Sequence, residues 1–336
     1  MNTYHLKEKF ELELGGSISG LKIGYHTYGT LNEDKSNVIF AVHALTANSD
    51  VSDWWSGLFG ENRLFDPNKY FIICANNLGS CYGTTCADDI NPDNEKRYGL
   101  DFPRITIRDT AVLHQLLLEH LGIDKVKFLI GGSCGGNISQ EMAILNPDAF
   151  ENMILLCCSA KESPWVIGIH ESQRMAMNVD PTLHQNNSIA GSEGLRAARA
   201  MALPYYRSFI SFVERQSESD INKTSNFRAA SYLKYQGEKF VNRFNAHSYY
   251  TLLSTLDTHN VGRNRSSIKE ALKEIKARTL VIGFNTDLLI PTGEQKFLAQ
   301  NIPNAKYEEI ETLFGHDAFL IETDLILEKI KNHFDY

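Results

Sequence analysis

Phe128-Leu129-Ile130-Gly131-Gly132-Ser133-Cys134-Gly135-Gly136 reads as a buried strand that drives into a glycine-pinched turn, with a helix leaving from Asn137 onward. Glycines on both sides of one serine permit a sharp turn that side chains would block, and such a turn lifts the hydroxyl clear of the sheet. The serine also stands at a helix N-terminus, whose free amides receive developing negative charge. Ser133 is therefore a candidate nucleophile. Such a nucleophile demands an acid and then a histidine, each just after a later strand.

Both follow. Thr279-Leu280-Val281-Ile282-Gly283 reads as a buried strand and leads into Phe284-Asn285-Thr286-Asp287. Tyr307-Glu308-Glu309-Ile310-Glu311 reads as the next strand and leads into Gly315-His316-Asp317. The chain order Ser133, Asp287, His316 is that of an α/β-hydrolase fold. In that reading His316 takes the serine proton, and Asp287 fixes the imidazole tautomer and stabilises the imidazolium. Two backbone N–H groups complete the site as an oxyanion hole. One belongs to Cys134, the residue after the nucleophile. The other belongs to Leu45 in His43-Ala44-Leu45-Thr46-Ala47, with Thr46 the alternative, and His43 reads as a loop-shaping residue.

The rest of the chain agrees with this fold. Val38–Val42 and Tyr70–Ala75 are short apolar runs of the kind that parallel strands covered on both faces present. Residues 9–28 alternate in two runs around Gly15-Gly16, which predicts a hairpin. Thr106 to Leu121 has helical spacing with Gly122 as its stop, and Met153–Cys158 reads as a further strand. Between residues 165 and 275 the strand signal vanishes. Helical segments replace it at 192–201, 208–216, 248–256 and 267–275. The expected organisation is an α/β-hydrolase core over 1–164 and 276–336, with a mostly parallel doubly wound sheet. A helical lid inserted over 165–275 would lie above the carboxyl edge of that sheet.

Composition narrows the function classes. Of 336 residues, 43% are hydrophobic and 22% charged, which suits a soluble globular protein. A net charge of −8 without a basic run argues against nucleic-acid binding. No apolar stretch has the length to span a bilayer, and no secretory signal is visible at the start. Six cysteines in a chain of this length predict free thiols and a cytoplasmic location, and Cys81 and Cys86 lack the further ligands of a metal site.

In the lid, Arg199 and Tyr206 stand seven residues apart and share a helix face directed into the cleft. A guanidinium there would hold a carboxylate bidentately, and Asp317 would offer an anion to an ammonium group. Together they would grip both ends of an amino acid.

Several segments resemble the homoserine O-acetyltransferase family: His43-Ala44-Leu45-Thr46, Leu78-Gly79-Ser80-Cys81-Tyr82-Gly83-Thr84-Thr85, Tyr98-Gly99-Leu100-Asp101-Phe102-Pro103 with Thr106-Ile107-Arg108-Asp109, and Gly131-Gly132-Ser133. The same holds for Tyr206-Arg207-Ser208, Tyr235-Gln236-Gly237-Glu238-Lys239-Phe240 and Gly315-His316-Asp317-Ala318-Phe319-Leu320. The resemblance implies transfer of an acetyl group from acetyl-CoA to the hydroxyl of L-homoserine, in methionine biosynthesis. It implies a ping-pong scheme through acyl-Ser133, with acetyl-CoA as substrate and no permanently bound cofactor. The family's substrate-binding arginine and aspartate fall on Arg199 and Asp317, and homodimers form through the lid helices.

The chain departs from the family pattern at Cys134, where methionine is usual, and at Asn137-Ile138-Ser139-Gln140. Asn285-Thr286 replaces an Asp-Ser pair, and Ile290 replaces an aromatic residue. These positions bear on the acyl donor, since close relatives use succinyl-CoA or accept L-serine. A serine esterase on the same triad is the alternative of another class.

Overall fold

The computed structural model describes residues 1–334. Eight strands form the main sheet: β1 (Asn2–His5), β2 (Lys22–Tyr28), β3 (Val38–Val42), β4 (Phe71–Ala75), β5 (Val126–Gly132), β6 (Phe150–Leu156), β7 (Arg278–Phe284) and β8 (Ala305–Ile310). Their spatial order is β1-β2-β4-β3-β5-β6-β7-β8. The β1–β2 and β2–β4 pairs are antiparallel, and every later pair is parallel. Parallel pairing leaves both faces to be covered, and the strands alternate accordingly. Val38, Phe40 and Val42 enter one core layer, while Ile39 and Ala41 enter the other. Leu129 likewise faces away from Phe128 and Ile130. Each large apolar side chain buried in this way contributes on the order of 2 kcal/mol of transfer free energy.

Helix α1 (Ile107–His120) covers one layer. It starts where Thr106 accepts from the Asp109 N–H while the Asp109 carboxylate accepts from the Thr106 N–H, a reciprocal cap. It ends before Gly122, whose φ of 65° reverses the chain. Helix α2 (Cys134–Leu145) leaves directly from β5.

The expected hairpin over residues 9–28 is much shorter than its pattern suggested. Only Phe10–Glu11 and Ser17–Ile18 pair across the glycine turn. Residues 22–28 instead become β2, because Ile23, Gly24 and Tyr25 are buried between β1 and β4.

After β6 the chain runs through α3 (Pro164–Asn178), α4 (Ser192–Tyr206), α5 (Phe209–Gln216), α6 (Arg228–Val241), α7 (Ala246–Asp257) and α8 (Ile268–Lys273). Met177, Leu195, Ala198, Phe240, Phe244, Tyr249 and Leu253 build a separate apolar cluster. Val261, Ala271, Leu272 and Ile275 belong instead to the core against the sheet. The two legs of the insertion meet at a short neck: the Glu162 N–H donates to the His259 carbonyl and the Val261 N–H to the Ala160 carbonyl. We therefore place the lid at residues 163–258 and assign α8 to the core, against the expected boundary at 275. Helices α9 (Thr292–Asn301) and α10 (Thr323–His333) close the core.

Candidate active site

The loops that leave the carboxyl ends of β3, β5, β7 and β8 converge, because register aligns those ends: Val42 faces Gly131, Leu156 faces both Gly132 and Ile282, and Phe284 faces Ile310. Ser133 sits at the β5–α2 turn with φ 55° and ψ −126°, a conformation few non-glycine residues adopt. Its N–H is anchored to the Leu156 carbonyl at 2.9 Å. The turn tolerates no side chain at Gly135, since a Cβ there would stand 2.1 Å from the Val42 carbonyl oxygen.

The Ser133 hydroxyl lies 2.9 Å from His316 Nε2, and His316 Nδ1 lies 2.7 Å from Asp287 Oδ2. Asp287 Oδ1 accepts the backbone N–H groups of Leu289 and Ile290, both at 2.9 Å, so the carboxylate is fixed from both sides. Burial lowers the His316 pKa, but the Asp287 carboxylate and Cys157 together outweigh it and raise the imidazole well above its ordinary value. Asn285 and Thr286, which depart from the resembled pattern, tie the acid loop to the histidine loop. The Thr312 N–H donates to Asn285 Oδ1 at 2.9 Å, and the Gly315 N–H donates to Thr286 Oγ1 at 3.1 Å.

Cys134 is the first residue of α2, so its N–H is one of the helix's unpaired amides. Its thiol is pushed up to about 12 by burial and by Glu162, which leaves the sulfur unreactive. Leu45 and Cys134 both border one cavity of about 330 Å³ with Ser133 and His316.

Arg199, Tyr206 and Asp317 line the same cavity. The Arg199 guanidinium has no hydrogen-bonded or ion-paired partner among the described residues. It lies over the rings of Phe240 and Tyr206, 4.8 and 5.4 Å from their centroids. Asp317 is raised by burial, an effect opposed by Arg207, His316 and Arg199, and it forms an ion pair with Arg207.

Sequence reasoning passed over five residues here. Arg207 follows Tyr206 in a segment quoted for the resemblance, and its pairing with Asp317 was invisible without the fold. Glu162, just before the lid, and His170 within it both line the cavity. His170 Nδ1 lies 2.7 Å from Asp257, a partner 87 residues away that no local spacing reveals. Cys157, at φ 40°, packs against the His316–Asp287 pair with ligand atoms all within 4.8 Å. Arg243 reaches from beyond α6 to the Thr46 carbonyl at 2.7 Å and the Tyr82 hydroxyl at 2.8 Å. The resemblance segment ending at Phe240 was the nearest signal.

Known proteins resemble this chain in sequence and fold. The family model for the alpha/beta hydrolase fold matches residues 37–323. A homoserine O-acetyltransferase of Cyclobacterium marinum is 43% identical over 331 residues, covering 98% of this chain and 94% of that protein. The enzyme of the same name from Nostoc punctiforme is 40% identical, covering 99% and 96%. Among solved structures, the homoserine O-acetyltransferase from Bacillus anthracis superposes with a TM-score of 0.92 at 26% identity, over 99% of this chain and 96% of that one. Esterase E22 superposes at 0.89 with 24% identity, over 99% and 98%, a likeness of fold. By full-length similarity in sequence and architecture, the chain belongs to the homoserine O-acetyltransferase family within the α/β-hydrolase fold.

Proposed function

We propose that this protein transfers an acetyl group from acetyl-CoA to the side-chain hydroxyl of L-homoserine, the step that names its family. The observation that carries this reading is one cavity holding both a Ser133–His316–Asp287 hydrogen-bond chain and an unpaired guanidinium at Arg199. His316 Nε2 removes the Ser133 proton as Oγ attacks the thioester carbon. The resulting oxyanion rests on the N–H groups of Leu45 and Cys134. Collapse expels the CoA thiolate, which takes the proton from His316. Homoserine then enters with its carboxylate on Arg199 and its ammonium toward the Asp317 carboxylate, while Tyr206 packs beside the arginine. His316 deprotonates the acceptor hydroxyl, and attack on the acyl-serine releases the ester product and restores the proton to Ser133.

The test measures CoA release and product formation with acetyl-CoA, succinyl-CoA, L-homoserine and L-serine in all pairings. Acetyl-CoA with homoserine is expected to give the highest kcat/KM, and Ser133→Ala to lower kcat by roughly 10⁶. Ester hydrolysis without any acceptor dependence would replace this reading with an esterase. The lid also supports a homodimer, since α5 exposes Phe209, Ile210 and Val213 and buries only Ser211. A solution mass near that of one chain would remove that inference. No helix of the described residues is long and apolar enough to cross a membrane, and all six cysteines are free, which supports the cytoplasmic reading.

A further inference from the structure

His43 is fully buried behind the cavity, and its two ring nitrogens have distinct partners. Nε2 accepts the backbone N–H of Asn77 at 3.0 Å, so the ring proton sits on Nδ1. Nδ1–H then donates to the Ala44 carbonyl at 2.7 Å. Burial lowers the imidazole pKa to about 4, which keeps this neutral tautomer through the working range. The same Ala44 carbonyl accepts the Ala47 N–H at 3.1 Å, closing a turn over residues 44–47.

A trans peptide is planar, and its N–H points opposite to its C=O. The Ala44 carbonyl and the Leu45 N–H belong to one peptide. The His43 ring, buried away from the cavity, holds that carbonyl on its own side, so the Leu45 N–H points away from His43. Ala44, Leu45, Thr46 and Ala47 all border the cavity, whereas His43 does not. The N–H is thus turned toward the side on which Ser133 lies.

We propose that His43 is a positioning residue for the reaction: its Nδ1–H fixes the rotation of the 44–45 peptide and thereby aims the Leu45 N–H at the oxyanion. The proposal rests on the oxyanion role given to Leu45 above. It is independent of the acceptor, because it concerns acylation of Ser133 alone. A freely rotating peptide would pay reorganisation at each turnover that a fixed dipole avoids.

The test follows 4-nitrophenol release from 4-nitrophenyl acetate in the full chain, which reads acylation without homoserine or CoA. Replacing Leu45 by its α-hydroxy analogue converts the amide to an ester and removes the N–H. The acylation rate is expected to fall about 10²–10³-fold. His43→Leu is expected to fall to a similar extent, and His43→Gln, which keeps a donor, to recover at least tenfold of that loss. Combining His43→Gln or His43→Leu with the Leu45 ester is expected to add less than threefold to the ester's own loss, because both act through one N–H. Losses that multiply, or a His43→Leu rate within threefold of the parent, overturn the proposal. Should His43→Leu fail to fold, the His43→Gln cycle decides alone. A Leu45 ester acylating at the parent rate removes the Leu45 reading itself, and this proposal with it.

Discussion

Glu162 is a carboxyl held in the wall of the cavity with one protein donor, the Ser163 N–H at 3.2 Å. Burial, opposed by that N–H, pushes its pKa up to about 8 from the ordinary value of 4.5. A carboxyl raised in the folded state holds its proton more tightly there than in the unfolded chain. Its contribution to stability is therefore full below about pH 4.5 and is lost as pH rises through about 8. Glu162→Gln removes the titration. Its Tm relative to the parent should be higher at pH 9 than at pH 5, by an amount corresponding to a few kcal/mol at most. An equal Tm difference at both pH values would contradict this. Arg199→Ala and Asp317→Ala should lower kcat/KM for homoserine while leaving Ser133 acylation largely intact, and collapse of acylation itself would reassign both residues. The serine, acid and histidine were legible because each follows a strand in a fixed chain order. Glu162 was not, because its character comes from burial that residues 259–261 and the lid create together.

Elements were legible in proportion to how one-sided their packing is. Strands β3, β5, β6 and β7 are buried along nearly their whole length and stood out as apolar runs. Helices α3 and α6 did not stand out. The inward face of α3 carries His170, Gln173 and Arg174 beside Val166, Ile169 and Met177, so its apolar period is broken by polar groups that find partners only in the fold. Helix α6 buries little beyond Gly237 and Phe240. The same logic separates two glycines. An added Cβ at Gly135 collides with the Val42 carbonyl, so Gly135→Ala must push α2 off β3 and should lower both Tm and acylation. Gly168 lies inside α3 with nothing within 4 Å of an added Cβ. Gly168→Ala should therefore raise stability by up to about 1 kcal/mol, a Tm increase of about 1 °C in a chain of this size. Thermal melts of the pair decide it, and a loss of stability in Gly168→Ala would show that this face of α3 is covered.

At the scale of the whole molecule, the question is what holds the lid's return leg in place beside the Ser133 cavity. Arg263 and Arg265 follow the neck directly, and both enter a partly buried ionic network. Arg263 pairs with Glu13 at 2.7 Å, and Arg265 with Glu141 at 2.9 Å. Arg108 of α1 joins the two halves, meeting Glu13 at 2.5 Å and Glu141 at 3.0 Å. Glu141 lies on α2, the helix that begins at the nucleophile turn, and its side chain is 2% exposed. The network therefore links the hairpin, α1, α2 and the lid's exit leg through charges partly withdrawn from water. Forming such a network gains little net free energy, because desolvation offsets the attraction. Breaking it is another matter. Glu141→Gln takes the carboxylate charge from Arg265 and one of two from Arg108 at a partly buried site, and should destabilise the fold by about 1–3 kcal/mol. Arg265→Ala on the Glu141→Gln background should cost much less than Arg265→Ala alone, since the charge it removes is then already unpaired. Denaturant unfolding of the four proteins in that cycle measures the coupling. Additive losses would mean that Glu141 and Arg265 do not stabilise one another, and that the exit leg is held by the neck's backbone hydrogen bonds instead.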